Sequence, residues 1–133
     1  VTATYLLDAN VLIALTVAEH EHHARSSAWA AGVDSFAVCP IVEGALVRFL
    51  VRIGERSSAA QQVIRGVHAR AGCAFWADEM SYADAHLDEA RGHREVTDAY
   101  LLSLALEKGA TLATLDRALA AKAPTGALLV PEA

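Results

Sequence analysis

Apolar positions recur along this chain in two rhythms. Short apolar runs with no polar face, too short for helices, alternate with longer stretches in which apolar residues return at helical spacing. Tyr5-Leu6-Leu7 is the first run and reads as a buried strand, with Val11, Leu12 and Leu15 at helical spacing directly behind it. After a polar break, a helix is predicted from Ala24 to Ala31, with Trp29 on its buried side and Gly32 as its stop. Phe36-Ala37-Val38-Cys39 reads as a second strand, and Pro40 suits the first turn of a helix from about Ile41 to Ile53 that ends at Gly54. A helix from about Ala59 to Ala71 and a third strand, Ala74-Phe75-Trp76, come next. Ser81 to Ala90 is expected to be helical and Arg91 to Arg94 a loop. Val96 to Lys108 reads as a strong helix stopped by Gly109, Ala110 to Thr114 as a fourth strand, Arg117 to Lys122 as a short helix and Ala127 to Val130 as a last strand. Strands alternating with helices predict an α/β fold, with a central, mostly parallel sheet and helices on both faces. Residues 1–133 show no repeat, linker or low-complexity tract and read as one domain.

Four acids break the pattern. Asp8 lies between the first strand and its helix, and Asp116 repeats that placement after the fourth strand. Each suits a helix N-cap, which is the plain structural reading. Glu43 and Asp98 are less easily explained. Glu43 is followed by Leu46, Val47 and Leu50, and Asp98 by Leu101, Leu102 and Ala105, so each extends an apolar stripe. An ionised carboxylate is costly on a buried face. In a parallel sheet, strand ends and the helix starts that follow share one edge, so the four carboxylates are expected to converge. Two carboxylates about 4 Å apart repel by about 4 kcal/mol at an effective dielectric of about 20. A helix N-terminus relieves only about 0.3–1 kcal/mol of that. The cluster therefore calls for protons or cations at neutral pH, and among cations oxygen-only ligands select Mg²⁺ or Mn²⁺ rather than zinc.

The charge balance changes how that edge is read. The chain carries 11 basic and 16 acidic residues, a net charge of −5, which argues against nucleic-acid binding through a generally basic surface. It leaves open a nucleic-acid enzyme whose negative charge is gathered in a metal site. Hydrophobic residues make up 54% of the chain, yet no apolar stretch approaches the roughly 20 residues of a membrane span. No charged segment precedes an apolar one in the manner of a signal peptide. Cys39 and Cys73 stand alone and read as reduced core thiols, so a cytoplasmic protein is expected.

Leu6-Leu7-Asp8-Ala9-Asn10-Val11-Leu12-Ile13, then Pro40-Ile41-Val42-Glu43, then Val96-Thr97-Asp98-Ala99-Tyr100-Leu101-Leu102, then Thr114-Leu115-Asp116 closely resemble a PIN domain. More narrowly they are similar to the VapC toxins of type II toxin–antitoxin systems. The resemblance covers essentially the whole chain, with all four segments in family order. It implies an α/β/α sandwich and a Mg²⁺- or Mn²⁺-dependent endoribonuclease whose catalytic, metal-binding acids match Asp8, Glu43, Asp98 and Asp116. Asn10 and Thr114 match supporting polar positions. The resemblance also implies a small VapB-type antitoxin, an RNA substrate and a homodimer. Water activated by metal would attack the phosphodiester, so no side-chain nucleophile is needed.

Other residues carry weaker signals. Glu19-His20-Glu21-His22-His23 matches no standard zinc spacing and is expected to be a solvated polar turn. His93 and Arg94 lie one loop before Asp98 and are candidates for RNA contact. Arg48 and Arg52, one turn apart, are placed either to pair with surface acids or to grip phosphate. Trp29, Phe75 and Trp76 are expected in the core rather than as base-stacking platforms. Two alternative functions are a non-catalytic antitoxin-binding module and a metal-dependent phosphatase-like enzyme. The intact acidic quartet argues against the first. A haloacid-dehalogenase-like phosphatase needs a second Asp where this chain has Asn10, and a placed Lys where only Lys108 and Lys122 exist.

Overall fold

The computed structural model describes residues 2–132. Five strands form one parallel sheet: β1 (Thr4–Leu7), β2 (Ser35–Val38), β3 (Cys73–Phe75), β4 (Thr111–Thr114) and β5 (Ala127–Leu129). Their order across the sheet is β3-β2-β1-β4-β5. Tyr5 of β1 pairs with Phe36 on one side and Thr111 on the other. The central strand is thus flanked by one neighbour that leads toward β3 and another that leads toward β5. Where strand order reverses in this way, a crevice opens at the carboxyl ends, here between β1 and β4. Among the described residues six α-helices pack on the sheet: α1 (Ala9–Thr16), α2 (His23–Ala31), α3 (Pro40–Arg52), α4 (Ser57–His68), α5 (Val96–Glu107) and α6 (Arg117–Lys122). The core runs through the sheet, from Leu6 and Leu7 across Ala37, Val38, Leu112 and Ala113 to Val11, Leu12, Leu46, Leu101 and Leu104. No helix among the described residues is long and apolar enough to cross a membrane.

Local chemistry sets the element ends. Pro40 occupies the first turn of α3, where a missing N–H costs nothing. At the other end Gly54 takes φ 105°, and Glu55 N donates back to Leu50 O at 2.9 Å, a Schellman closure. α4 stops at His68, short of the expected Ala71, because the chain must turn back to lay β3 beside β2. Gly72 makes that turn at φ 82°, and a Cβ there would stand 2.0 Å from the Asp34 carbonyl oxygen, so only glycine fits. Arg25 of α2 is buried, and its Nε donates to Val130 O at 2.9 Å, pinning the chain beyond β5.

Two expectations fail. Ser81 to Ala90 is not a helix but a run of turns. It is held from outside by α5: Ser103 Oγ accepts from His86 N at 2.9 Å, Tyr100 Oη donates to Met80 O at 2.8 Å, and the Tyr82 and Tyr100 rings lie 4.4 Å apart. Those contacts use the backbone that a helix would need for itself. Phe75 is the second. It ends the edge strand β3 and is 51% exposed, whereas Trp29 and Trp76 pack against the core as expected. The histidine-rich stretch is a turn leading into α2, with the His23 ring bonded to Ala14 O at 2.8 Å.

Candidate functional site

The crevice between β1 and β4 holds a small network built on Asp8. Its backbone N–H donates to Ala113 O at 2.9 Å, extending the sheet by one bond beyond Leu7. The side chain caps α1, Oδ1 accepting from Ala9 N at 2.8 Å, while Oδ2 accepts from Thr114 Oγ1 at 2.8 Å. The cap reading therefore holds, but it accounts for only one of the two oxygens. Thr114 is fully buried, and its hydroxyl also accepts from Asp116 N at 3.0 Å. Asn10 Oδ1 accepts from Leu115 N at 3.1 Å, so the start of α1 is riveted to the turn after β4. Asp116 then caps α6, with Oδ1 accepting from Ala118 N and Leu119 N at 2.9 and 3.1 Å. The expected supporting residues, Asn10 and Thr114, thus fix the relative position of the two strand-end acids.

Asp98 approaches from the first turn of α5, behind a single 3₁₀ turn, His93–Glu95. Its carboxyl is pushed up to about 6, chiefly by burial and next by the nearby charges of Asp8, Asp116 and Glu95, with Lys122 acting in the opposite sense. Asp8 is raised too, again first by burial, with Asp116 adding to it and the bonds from Thr114 and Ala9 opposing. Asp8, Asp98 and Asp116 therefore share one electrostatic neighbourhood. Glu43 does not join them in this arrangement. It stands in the first turn of α3 as expected, but its Oε2 accepts from His68 Nε2 of α4 at 2.6 Å. Among the described residues no three His, Cys, Asp or Glu side chains already stand as a metal cage. Asp116 bonds to the amides of Ala118 and Leu119, and Glu43 to the His68 imidazole. The donor set is still oxygen-rich and underneutralised, which suits a hard divalent cation.

Residues the sequence did not flag complete the edge. Glu95 sits one turn before Asp98, its Oε1 accepting from Arg91 N at 3.0 Å and its Oε2 from Lys122 Nζ at 2.9 Å. Glu95, Asp98, Asp116 and Lys122 line a cavity of about 180 Å³ whose apolar side is Ala99, Leu102 and Leu119. The three-residue spacing of Glu95 and Asp98 was the available signal. Asp78 brings another carboxylate past the end of β3, with Oδ1 buried and unpartnered, and its charge raises the Cys39 thiol further after burial has already done so. His93 and Arg94 are exposed on the turn before α5. Neither Arg48 nor Arg52 forms an ion pair with any described residue.

The raised carboxyls make a prediction about the metal-free protein. Asp98 binds its proton more tightly folded than unfolded, so at neutral pH its ionisation works against folding. That penalty is relieved as pH falls through about 6 toward the unfolded value of 3.8. In EDTA, the melting temperature is expected to rise from pH 7.5 to pH 5, and Asp98→Asn is expected to flatten that rise. A melting temperature that falls over this range in the parent and in the variant alike would contradict the crowding of these acids.

Comparison with known proteins agrees with this architecture. The PIN domain family matches residues 5–123. Ribonuclease VapC29 of Mycobacterium tuberculosis is 48% identical over 129 residues, covering 96% of this chain and 97% of that protein. Among solved structures, a toxin–antitoxin complex from Klebsiella pneumoniae superposes with a TM-score of 0.71 at 17% identity, covering 97% of this chain and 99% of the other. Mycobacterium tuberculosis VapC20, described as a sarcin–ricin loop cleaving toxin, does so with a TM-score of 0.66 at 18% identity, covering 89% and 94%. With a parallel sheet whose switch-point crevice gathers Asp8, Asp98 and Asp116, and with close identity along nearly its whole length, this chain belongs to the PIN-domain family, among the VapC ribonucleases.

Proposed function

We propose that this protein is the toxin of a type II toxin–antitoxin pair, a metal-dependent endoribonuclease acting in the cytoplasm and held in check by a VapB-type antitoxin. The whole chain, residues 1–133, is read as one PIN domain. The observation that carries the reading is the three-aspartate neighbourhood at the β1/β4 crevice, in which two carboxyls are raised. Asp8, Asp98 and Asp116 would hold Mg²⁺ or Mn²⁺, with Glu43 as the fourth carboxylate. A bound ion of this kind supplies an activated water and neutralises the charge of the phosphodiester. The chain's own residues do the positioning. Thr114 and Asn10 keep Asp8 and Asp116 in register, and the first turn of α5 carries Asp98. His93 and Arg94, exposed just before that helix, would contact RNA.

Cleavage of RNA is favoured over duplex DNA. A chain of net charge −5 has little general attraction for a duplex backbone, whereas an unpaired loop can bring one phosphate into a crevice. The test is cleavage of a single-stranded RNA and a duplex DNA of matched sequence by the purified protein, with Mn²⁺, with Mg²⁺ and with EDTA. RNA is expected to be cut only with metal, and DNA at least about ten-fold more slowly, a difference of ~1.4 kcal/mol in the barrier. Equal cutting of both, or full activity in EDTA, would defeat the proposal. The same preparation is expected to have twice the chain mass of 14.1 kDa by light scattering, since the reading includes a homodimer.

A further inference from the structure

The acids face one side of the edge, and a different kind of surface lies beyond Glu43. Between α3 and α4 is a cleft of about 440 Å³, walled by Glu43, Val47, Gln61, Ile64, Arg65 and His68. Unlike the mainly acidic cavity beside Asp98, it sets a guanidinium, Arg65, beside a single acid, Glu43. Arg65 is exposed on its rim and forms no ion pair with any described residue. The Arg48 guanidinium lies over Gly44, with Nη1 3.2 Å from where a Cβ would be, and it too is unpaired among the described residues. One guanidinium on the cleft and a second beside its Gly44 wall, both unpaired among the described residues, stand out in a chain of net charge −5. An aromatic surface adjoins them. The His68 ring, bonded to Glu43 at 2.6 Å, lies 5.7 Å from the ring of Phe75, which is 51% exposed.

We propose that the α3–α4 cleft is a nucleotide subsite for single-stranded RNA, taking a residue next to the one whose phosphate is cut. This rests on the ribonuclease reading above. The chemistry divides by surface. Arg48 and Arg65 take the flanking phosphate, for which forked guanidinium donors are well shaped. The unpaired base lies against His68 and Phe75, with Val47 and Ile64 as the apolar wall. Aromatic faces of this kind accept any base, so the subsite supplies grip and register more than a sequence code. The position also explains an otherwise unfavourable exposure: a phenylalanine at the end of an edge strand, in contact with an imidazole that itself touches a site acid. The occupant is RNA rather than an acidic peptide because the cleft pairs its two cations with exposed aromatic rings and with the acid expected in the cleavage site.

The test is cleavage kinetics on short single-stranded RNA with Mn²⁺, comparing the parent with Arg48→Ala/Arg65→Ala, with Phe75→Ala and with Arg56→Ala. Arg56 is an exposed cation at the far end of α4 and controls for charge alone. The double arginine variant is expected to raise KM about ten-fold with kcat within about two-fold. It is also expected to lower the slope of log affinity against log salt by about 0.7 for each phosphate no longer neutralised. Phe75→Ala is expected to raise KM at least about five-fold with the salt slope unchanged, as removal of one stacked base would do. Arg56→Ala is expected to match the parent. If the parent cuts RNA but the arginine variants keep its KM and salt slope, the subsite is wrong and the ribonuclease reading stands. If Arg56→Ala is equally impaired, binding is diffuse and the subsite is wrong. If Phe75→Ala converts a dimer to a monomer, the face belongs to a second copy and the subsite is wrong. If the folded parent cuts no RNA, both readings fall together.

Discussion

Asp98→Asn is expected to leave a folded protein that no longer cuts RNA. The substitution keeps the shape of the side chain and removes only its charge. That charge is the most perturbed in the crevice, pushed up to about 6 by burial and by Asp8, Asp116 and Glu95. Folding should tolerate the change. The start of α5 loses a favourable dipole interaction of about 0.3–1 kcal/mol, and like-charge repulsion within the cluster falls at the same time. The apo melting temperature is therefore expected to hold or rise. Activity responds in the opposite sense, because Asp98 is one of three carboxylates that would hold the cation. Loss of a single preorganised electrostatic group costs about 10²–10³-fold in rate, and removal of a metal ligand should cost at least as much. Asp8→Asn is expected to behave alike, since its amide oxygen keeps the helix cap while its Nδ2 donates to the Thr114 hydroxyl, reversing that bond. The measurements are Mn²⁺-dependent cleavage and thermal unfolding on the same samples. Near-parental cleavage by either folded variant would remove these acids from the site.

The contrast between stability and activity in that experiment reflects what the sequence could and could not reveal. Strand-end acids are legible because a parallel sheet leaves few places for them. Once Tyr5-Leu6-Leu7 and Ala110 to Thr114 are read as strands, Asp8 and Asp116 must lie at the same edge, and the structure joins them through Thr114. Helical spacing likewise places Glu43 and Asp98 in first turns. Side-chain direction is not legible. Whether Glu43 faces Asp8 or His68 depends on a rotamer and on an imidazole 25 residues away, and no periodicity encodes either. Ser81 to Ala90 escapes for a related reason. Its composition permits a helix, but Tyr100 and Ser103 of α5 claim its backbone and rings from across the loop. Phe75 belongs in the core by residue type, and only the sheet order shows that its strand is an edge.

The same electrostatics predict how an antitoxin silences the enzyme. A crevice of crowded carboxylates that favours a metal also favours a guanidinium, which binds carboxylates through two parallel bonds. The cavity beside Asp98 and Asp116 has room for such a group, and Ala99, Leu102 and Leu119 offer its aliphatic stem an apolar wall. Lys122 already neutralises Glu95 on the rim, so an incoming cation is directed inward to the aspartates. The resemblance to VapC toxins implies a VapB-type partner whose C-terminal tail wraps the toxin, and an Arg or Lys from that tail is expected to enter beside Asp8, Glu43, Asp98 and Asp116. There it would displace the cation or bar the RNA phosphate. Apolar tail residues along the α5–α6 groove should provide most of the affinity, because ion pairs more often set rate and specificity than net binding. The experiment is to purify the complex with its natural partner and change that basic tail residue to Ala. Complex formation is expected to weaken by no more than about ten-fold, or ~1.4 kcal/mol, while cleavage is largely restored. Excess Mn²⁺ is expected to restore part of the cleavage in the unaltered complex, since metal and side chain compete for the same oxygens. A tail lacking its basic residue that still inhibits fully would mean that the antitoxin acts by covering the RNA path, and that the aspartates never receive its charge.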